Sequence, residues 1–457
     1  MDLEKFVTVL DRAGELLRVK EPVSTRLELS VILEWADRKN GKAVLFERVD
    51  GHRARVVGNL FSRRSRLALA FGVDEDALLK TYSKRLKRRI KPKLVRSGAV
   101  MQSIIADDID LARQVPVLTH REGDAGPYLT SAVTIAKDPE TGAIGMGIYR
   151  IQVRGRTEVA LNIQNPPLSD FLRKAEAMGV ELEVAMVVGM DPLMFLASVS
   201  PVPPGADRYE IAGGLSGKAV QLVPCRTIDL CVPADSQYVF EGKVRPSARV
   251  QEGPFGESWG TYQQGFNPVA KLAAICHRKS PTYHALMPYS GEEPSLMGLI
   301  TEAVALQSLE SEGLHASALA IDSFNRSQLV VQMKKQNDEE PRRVLEHLLS
   351  RLPTVKTAVA VDADIDPRDP YAVGFAIATR FQPGRGAVIL DGLRASSLDP
   401  SATVSESGRI SSKLGMDATL PLSAPKRRFA MVRSSARAAG ESLALGRLRR
   451  KLGKITR

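Results

Sequence analysis

Aromatic residues make up only 5% of this 457-residue chain, and it carries three cysteines and two tryptophans. So few aromatics argue against a carbohydrate-stacking surface. Cys225, Cys231 and Cys276 are odd in number and show no CxxC spacing, which excludes a disulfide framework and favours a reduced, cytoplasmic setting. No uninterrupted apolar run approaches the ~20 residues of a membrane span. The opening stretch MDLEKFVTVLDRAGELLRV is charged and amphipathic, with no apolar signal core. The six histidines form neither HxxxH nor HExxH, so a dedicated zinc site is not expected. A GxSxG elbow and a P-loop are missing too. These absences leave charged side chains as the expected catalytic equipment.

What is present is ordinary for a globular chain: 44% hydrophobic and 25% charged residues, over a length that implies two or three domains. The net charge of +12 is concentrated at one end. Ala424 to Arg457 holds eleven Lys/Arg and one Glu, or +10, which leaves +2 for the rest. A broad nucleic-acid face is therefore not implied. The tail reads either as a basic amphipathic helix or as a disordered arm. The other basic run, KRLKRRIKPK (Lys84 to Lys93), reads as a solvated helix face and the loop after it.

Residues 1–110 read as mixed α and β, with helical spacing in LELSVILEWADRK, a strand in KAVLFERV, and a helix, break and helix in SRLALAFGVDEDALLKTYSKRLKRRI. Residues 111–290 are rich in short strand-like runs, among them YLTSAVTIA, GIYRIQVRG, EVALNIQ, LEVAMVVGM, MFLASVS and KAVQLVP. Their close spacing predicts a barrel or sandwich. A helix at 291–314 connects to residues 315–423, where ASALAIDS, SQLVVQMK, TAVAVDAD, AVGFAIATR and GAVILDG alternate with a helix at EPRRVLEHLLSRL, as in an α/β layer. The basic tail, 424–457, follows.

In RVQEGPFGESWG, Glu252 and Glu257 stand around Gly-Pro-Phe-Gly, too short and broken for a helix or a central strand. Gly256 is free to take a positive φ and Pro254 donates no hydrogen bond, so a tight turn is expected to bring two carboxylates together. Such a pair can divide acid and base roles, and when buried it needs a cation. Arg150, flanked by Ile148, Tyr149, Ile151 and Val153, is a candidate. The alternative is an exposed acidic turn with a surface ion pair worth ~0–1 kcal/mol.

EGPFGE resembles the signature of the UbiD family of decarboxylases, which use prenylated FMN (prFMN). ARQVPVLTHREGDAGPYLTSAVTIA, GIYRIQV, EIAGGLSGKAVQLVPC, VPADSQYVFEG, KTAVAVDADIDPRDPYAVGFAIATR and SSKLGMDAT resemble UbiD segments in the same order, covering the chain from near Met1 to about Pro421. The resemblance implies an α+β fold: a flavin-binding region around a split β-barrel, a linker helix, and a C-terminal α/β domain used in homodimer or homohexamer contacts. It implies removal of CO2 from an α,β-unsaturated or aromatic carboxylic acid, with carboxylation as the reverse. The flavin forms a covalent adduct with the substrate and is supplied by a UbiX-like flavin prenyltransferase. By position Arg150 matches the catalytic arginine, Glu252 its partner, and Glu257 the proton donor, expected in an apolar setting that favours its protonated form. Ile148, Arg150, Gln164, Ser198, Ser200, Arg208 and Lys356 fall at cofactor-binding positions, Lys356 at the flavin phosphate.

One departure concerns the metal. The family holds a divalent ion through Asn, His and Glu, and those positions here read Gly145, Gln164 and Arg208. No metal site is therefore assigned. Either Arg208 takes the place of the ion at the phosphate, with Lys356 beside it, or phosphate anchoring has been lost. The segment YHALMPYSGEEPSLMG (Tyr283 to Gly298) is expected in the pocket wall. There Glu292 and Glu293 either meet substrate charge or cap the helix that follows, and His284 reads as a core histidine. The rival functions are a non-catalytic UbiD-like binding protein and a two-carboxylate hydrolase such as a glycosidase, the latter disfavoured by the scarce aromatics.

Overall fold

A computed structural model describes residues 1–202, 206–322, 326–406 and 408–432. Most of the basic tail, with the helix-or-arm question it raised, lies outside the described residues.

The central sheet fixes the architecture. It has nine strands, eight of them in the order Tyr128–Leu129, Ile151–Val153, Glu158–Leu161, Tyr262–His277, Tyr238–Gly256, Leu182–Val188, Val133–Lys137 and Ile144–Ile148. Ser103–Ile105 pairs off this path with Tyr262–His277. Every pairing is antiparallel. Ile144–Ile148 ends the row, whereas Ile151–Val153 is second from the other end, yet only Tyr149 and Arg150 separate them in sequence. That connection spans at most about 10 Å, so the sheet must roll until its ends approach. The result is a curled half-barrel, in agreement with the expected split barrel.

Residues alternate between the two faces of this sheet, and both faces are covered. Along Leu182–Val188, Leu182, Val184, Met186 and Val188 enter one core, while Ala185 and Val187 enter the other. The second core also takes in the apolar face of the first helix, with Leu3, Phe6, Val7 and Leu10. Each aliphatic side chain buried in this way contributes about 1.5–3 kcal/mol.

Three smaller sheets accompany the barrel. The shortest has the order Cys231–Pro233, Gln221–Pro224, Lys93–Leu94. In another, Leu16–Val19, Ala43–Phe46 and Arg55–Gly58 are completed by Thr282–Ala285, which lies parallel to Arg55–Gly58. The chain thus returns to the N-terminal region as the pocket-wall segment begins. The C-terminal unit has the strand order Ala318–Ile321, Gln328–Met333, Thr357–Asp362, Gly408–Ala418, Ala387–Arg394. Helix Glu340–Arg351 packs Val344, Leu345 and Leu348 on one face of this sheet, and helix Pro370–Arg380 packs Ala372, Val373 and Ala376 on the other. Helix Glu292–Ser311 links this unit to the barrel.

Two strand expectations are corrected. MFLASVS lies in a helix, Pro192–Val199, and AVGFAIATR in another, Pro370–Arg380. Both begin at an Asp-Pro pair: Asp191 accepts from the Leu193 amide at 2.8 Å, and Asp369 from those of Tyr371 and Ala372. Proline suits the first helical position and the aspartate satisfies free amides. The apolar run in the first is buried on all sides and has no period that would distinguish it from a strand.

Candidate active site

Arg150 sits at the corner that closes the barrel. Its side chain is 7% exposed, and that of Glu252 is fully buried. Glu252 accepts a two-pronged bond from Arg150, at 3.0 Å from Nε and 2.7 Å from Nη2. Glu257 accepts from Nη1 of the same guanidinium. Asn267 donates to Glu252 Oε2 at 2.8 Å. The Asn162 amide, with its oxygen toward Arg150, accepts from Nε at 3.1 Å. The Phe255 ring lies 5.5 Å from the guanidinium carbon. Burial alone works to lower the Arg150 pKa, but the two carboxylates overcome it and leave the pKa raised.

The acidic stretch is not an isolated turn, which corrects the expectation drawn from its sequence. Glu252 lies within the long strand Tyr238–Gly256, paired with Gly265, and the register shifts between Glu252 and Phe255. A β-bulge absorbs Gly253-Pro254, where the missing proline donor does no harm. The positive φ belongs to Gly253 (+91°) and not to Gly256, and a Cβ at Gly253 would stand 2.6 Å from the Gln263 carbonyl oxygen. Asp124 anchors the far side of the bulge. Its Oδ1 accepts from the Gly256 amide and its Oδ2 from the Arg121 amide, both at 2.9 Å, while the Ala125 amide donates to the Pro254 carbonyl at 2.8 Å. The bulge re-aims the chain so that Glu257 reaches the guanidinium already held by Glu252. The setting of Glu257 is accordingly cationic rather than the apolar one expected.

A cavity of about 360 Å³ adjoins Arg150 and Glu257. Ile148 and Gln164, both expected at the cofactor, line it, with the amides of Asn162 and Asn165 and the apolar Leu286, Met287 and Leu296. Ser397 and Leu398 reach it from the C-terminal unit. Thr130 also lines it, and its Oγ1 is buried without a protein partner. Three amides, an orphaned hydroxyl and an apolar wall suit the polar edge and flat face of a flavin ring.

The remaining expected positions stand off the cavity wall. Ser198 donates to the Phe195 carbonyl and Ser200 to that of Leu196, within their own helix. Arg208 donates to the carbonyls of Ala197, at 3.2 Å, and Ser200. Lys356 bonds Asp399 at 2.8 Å and Ser401, and so fastens the loop that carries Ser397 and Leu398. The three expected metal positions do not suit a divalent cation. Gly145 offers no ligand, and a Cβ there would lie 2.4 Å from the Phe171 ring, so even alanine would force that ring to shift. Gln164 offers one amide, and Arg208 is itself a cation. His284 is 2% exposed, lies edge-on to Phe61 and Phe195, and is pushed down to about 3 by burial.

Profiles for three domains of 3-octaprenyl-4-hydroxybenzoate carboxy-lyase match the chain: the N-terminal domain over residues 7–86, the Rift-related domain over 93–291 and the C-terminal domain over 295–418. The chain belongs to the UbiD family. An uncharacterized protein of Archaeoglobus fulgidus is 32% identical over 447 residues, covering 92% of this chain and 91% of the relative. Among solved structures, the UbiD-class enzyme HmfF from Pelotomaculum thermopropionicum in complex with FMN is 34% identical, with a TM-score of 0.90 over 95% of this chain and 98% of that one. An evolved dimeric form of HmfF in complex with prFMN is 33% identical, with a TM-score of 0.87 over 97% and 99%. The vanillic acid decarboxylase of Sedimentibacter hydroxybenzoicus, in open form, is 28% identical, with a TM-score of 0.83 over 100% and 98%.

Sequence reasoning missed Asp124, Asn267, Thr130 and Asn162. Only Asn267 left a signal, as the uncharged polar residue in FNPVAKLAAI, where Lys271 is the one other polar side chain. It faces Val250, two positions along from the Glu252–Gly265 pair, which puts it diagonally beside Glu252.

Proposed function

We propose that the chain is a prFMN-dependent carboxy-lyase that removes CO2 from an α,β-unsaturated or aromatic acid and works reversibly. The observation that carries this reading is the Arg150 guanidinium bridging Glu252 and Glu257 at the edge of a flavin-sized cavity. HmfF, bound to FMN or prFMN, and the vanillic acid decarboxylase support the cofactor and the substrate class.

The residues divide the work. Glu252 occupies the Nε–Nη2 edge of the guanidinium and fixes its plane. The Nη1 edge is shared with Glu257, so a substrate carboxylate that takes this edge releases Glu257. When bound, the flavin supplies an electron-accepting ring that holds the electron pair left as the C–CO2 bond breaks. Glu257, once freed, takes a proton from solvent on a carboxyl oxygen and would deliver it to the carbon, where a new C–H bond replaces the C–CO2 bond. In the reverse direction the same oxygen receives it.

For the phosphate, the proposal is that Arg208 and Lys356 hold it without a divalent ion. Each would have to exchange a present protein bond for one to phosphate, so Arg208→Met and Lys356→Met should each weaken FMN affinity. Unchanged FMN affinity in both variants removes them from the phosphate site. A homodimer or homohexamer built through the C-terminal unit belongs to the same proposal, read by sedimentation.

The deciding experiment is co-expression with a flavin prenyltransferase, followed by absorbance and cofactor mass. Glu257→Gln should abolish CO2 release and leave the flavin bound, and unaltered turnover would remove Glu257 from its role. A chain that acquires no flavin would be the non-catalytic binding protein, the reading that the unsuited metal positions favour. Against that reading, a binding scaffold has no need to bury an arginine with two glutamates.

A further inference from the structure

A second carboxylate borders the same cavity. Glu293, in the first turn of helix Glu292–Ser311, lines it beside Glu257, Ser258 and Met297. Its Oε2 accepts from Arg326 Nη1 at 2.6 Å. Arg326 is itself fixed: Nη2 donates to the Ser290 carbonyl at 2.6 Å, and the guanidinium stands 5.8 Å above the Tyr289 ring. Arg326 is not on the cavity wall, so of this ion pair only the carboxylate faces the interior.

Among the described residues lining the cavity, Arg150 is the only cation, and it already serves two carboxylates. One substrate carboxylate satisfies it by displacing Glu257. A second anion on the same substrate would find no free cation and would meet Glu293. A neutral hydroxyl or amide N–H would instead find an acceptor there. Like charges brought together in a confined site repel strongly, whereas a carboxylate, with lone pairs beyond those one partner uses, favours a hydrogen-bond donor.

We propose that Glu293, with Arg326 held behind it, is a specificity determinant that selects monocarboxylic acids bearing a neutral hydrogen-bond donor and rejects dicarboxylic acids. The inference deepens the reaction proposed above and rests on it for the placement of the reacting carboxylate at Arg150. It also makes Arg326 a latent anion site, available to the cavity once Glu293 is removed.

The test compares 4-hydroxybenzoate, 4-methylbenzoate and terephthalate on the flavin-loaded full chain, by kcat/KM for CO2 release and by calorimetric affinity. The parent should prefer 4-hydroxybenzoate to both others, with terephthalate disfavoured by about a hundredfold. In Glu293→Ala, which frees Arg326, the terephthalate to 4-hydroxybenzoate ratio should rise by about tenfold or more. The double variant Glu293→Ala with Arg326→Gln should lose that gain. Ratios taken within one preparation do not depend on how much of a variant is correctly folded. A parent that accepts terephthalate as readily as 4-hydroxybenzoate, or a ratio that Glu293→Ala leaves unmoved, overturns the inference. Should none of the acids lose CO2, the proposed reaction fails for this class, while the affinities still decide the role of Glu293. If no acid binds, the inference falls as well.

Discussion

Asp124 touches neither Arg150 nor the cavity, yet it should govern turnover through the bulge. Its two oxygens hold the Gly256 and Arg121 amides at 2.9 Å, and Gly256 immediately precedes Glu257. Hydrogen bonds to a charged acceptor contribute about 1.5–3 kcal/mol each. Burial offsets part of that here, since it raises the Asp124 pKa against the lowering effect of those same bonds. The net loss in Asp124→Ala should therefore be about 2 kcal/mol, read as a shift in the urea midpoint at constant m-value. Asparagine keeps one acceptor and should lose about half as much. The larger effect is geometric: an acid displaced by about 1 Å costs on the order of a hundredfold in rate. Asp124→Ala should lower kcat by about that factor while KM and flavin affinity stay near parent values, with Asp124→Asn in between. Full kcat in Asp124→Ala would refute the idea that the bulge must be pinned to aim Glu257. Loss of flavin in step with kcat would refute it too, because it would report a general collapse of the site.

Glu292, beside the specificity residue, is fully buried and accepts from the Phe61 amide at 3.1 Å and the Met287 amide at 3.2 Å, yet burial pushes it up to about 7 from an ordinary 4.5. A raised acid favours folding in its protonated form, so its contribution is full below pH 4.5 and lost as pH rises through 7, on the order of 3 kcal/mol in all. In Glu292→Gln the fall in urea stability between pH 5 and 8 should flatten, and an unchanged slope would assign it to other groups. Lys413, 2% exposed, donates to the carbonyls of Leu349 and Leu352 at the end of a helix, and burial pushes it down to about 8 from 10.5. Between those values the unfolded chain holds a proton that the folded chain lacks, so stability should rise with pH there, and Lys413→Met should abolish the rise.

The fold was legible where periodicity or end signals spoke clearly. LELSVILEWADRK shows helical spacing and forms helix Glu28–Lys39, and KAVLFERV supplies strand Ala43–Phe46. MFLASVS was not legible, because every side chain from Leu193 to Ser198 is buried and such a run has no polar face to betray its period. The Asp-Pro before it was the usable signal. At the site, Arg150 and the two glutamates stood out because charge flanked by apolar residues, glycine and proline is locally conspicuous. Asp124 was hidden, and the partner of Asn267 was too, because each acts across a contact between distant segments. The expected tight turn at EGPFGE failed for the same reason: against the partner strand Tyr262–His277, Gly253 and Pro254 together oppose the single residue Gln264 in a bulge, a possibility that the hexamer alone does not contain.

The position of Arg150 ties the fold to the chemistry. The strands that must approach for the barrel to close are joined by Tyr149 and Arg150, so the corner that completes the sheet is also the corner that carries the guanidinium. A buried arginine with two carboxylates gives little net stability, because desolvating three charges cancels most of their attraction, and an apolar set of equal volume would serve the core as well or better. What holds the cluster in place is the surrounding framework: Asn267 on Glu252, Asp124 on the bulge, and the Phe255 ring against the guanidinium. The closure of the sheet thus delivers the cation, and the bulged strand delivers both acids to it. The cation and the acids arrive on two different segments, so none of the three can move far without opening the barrel or undoing the bulge, and in the proposed reaction the Nη1 donor shared with Glu257 is the one that exchanges partners.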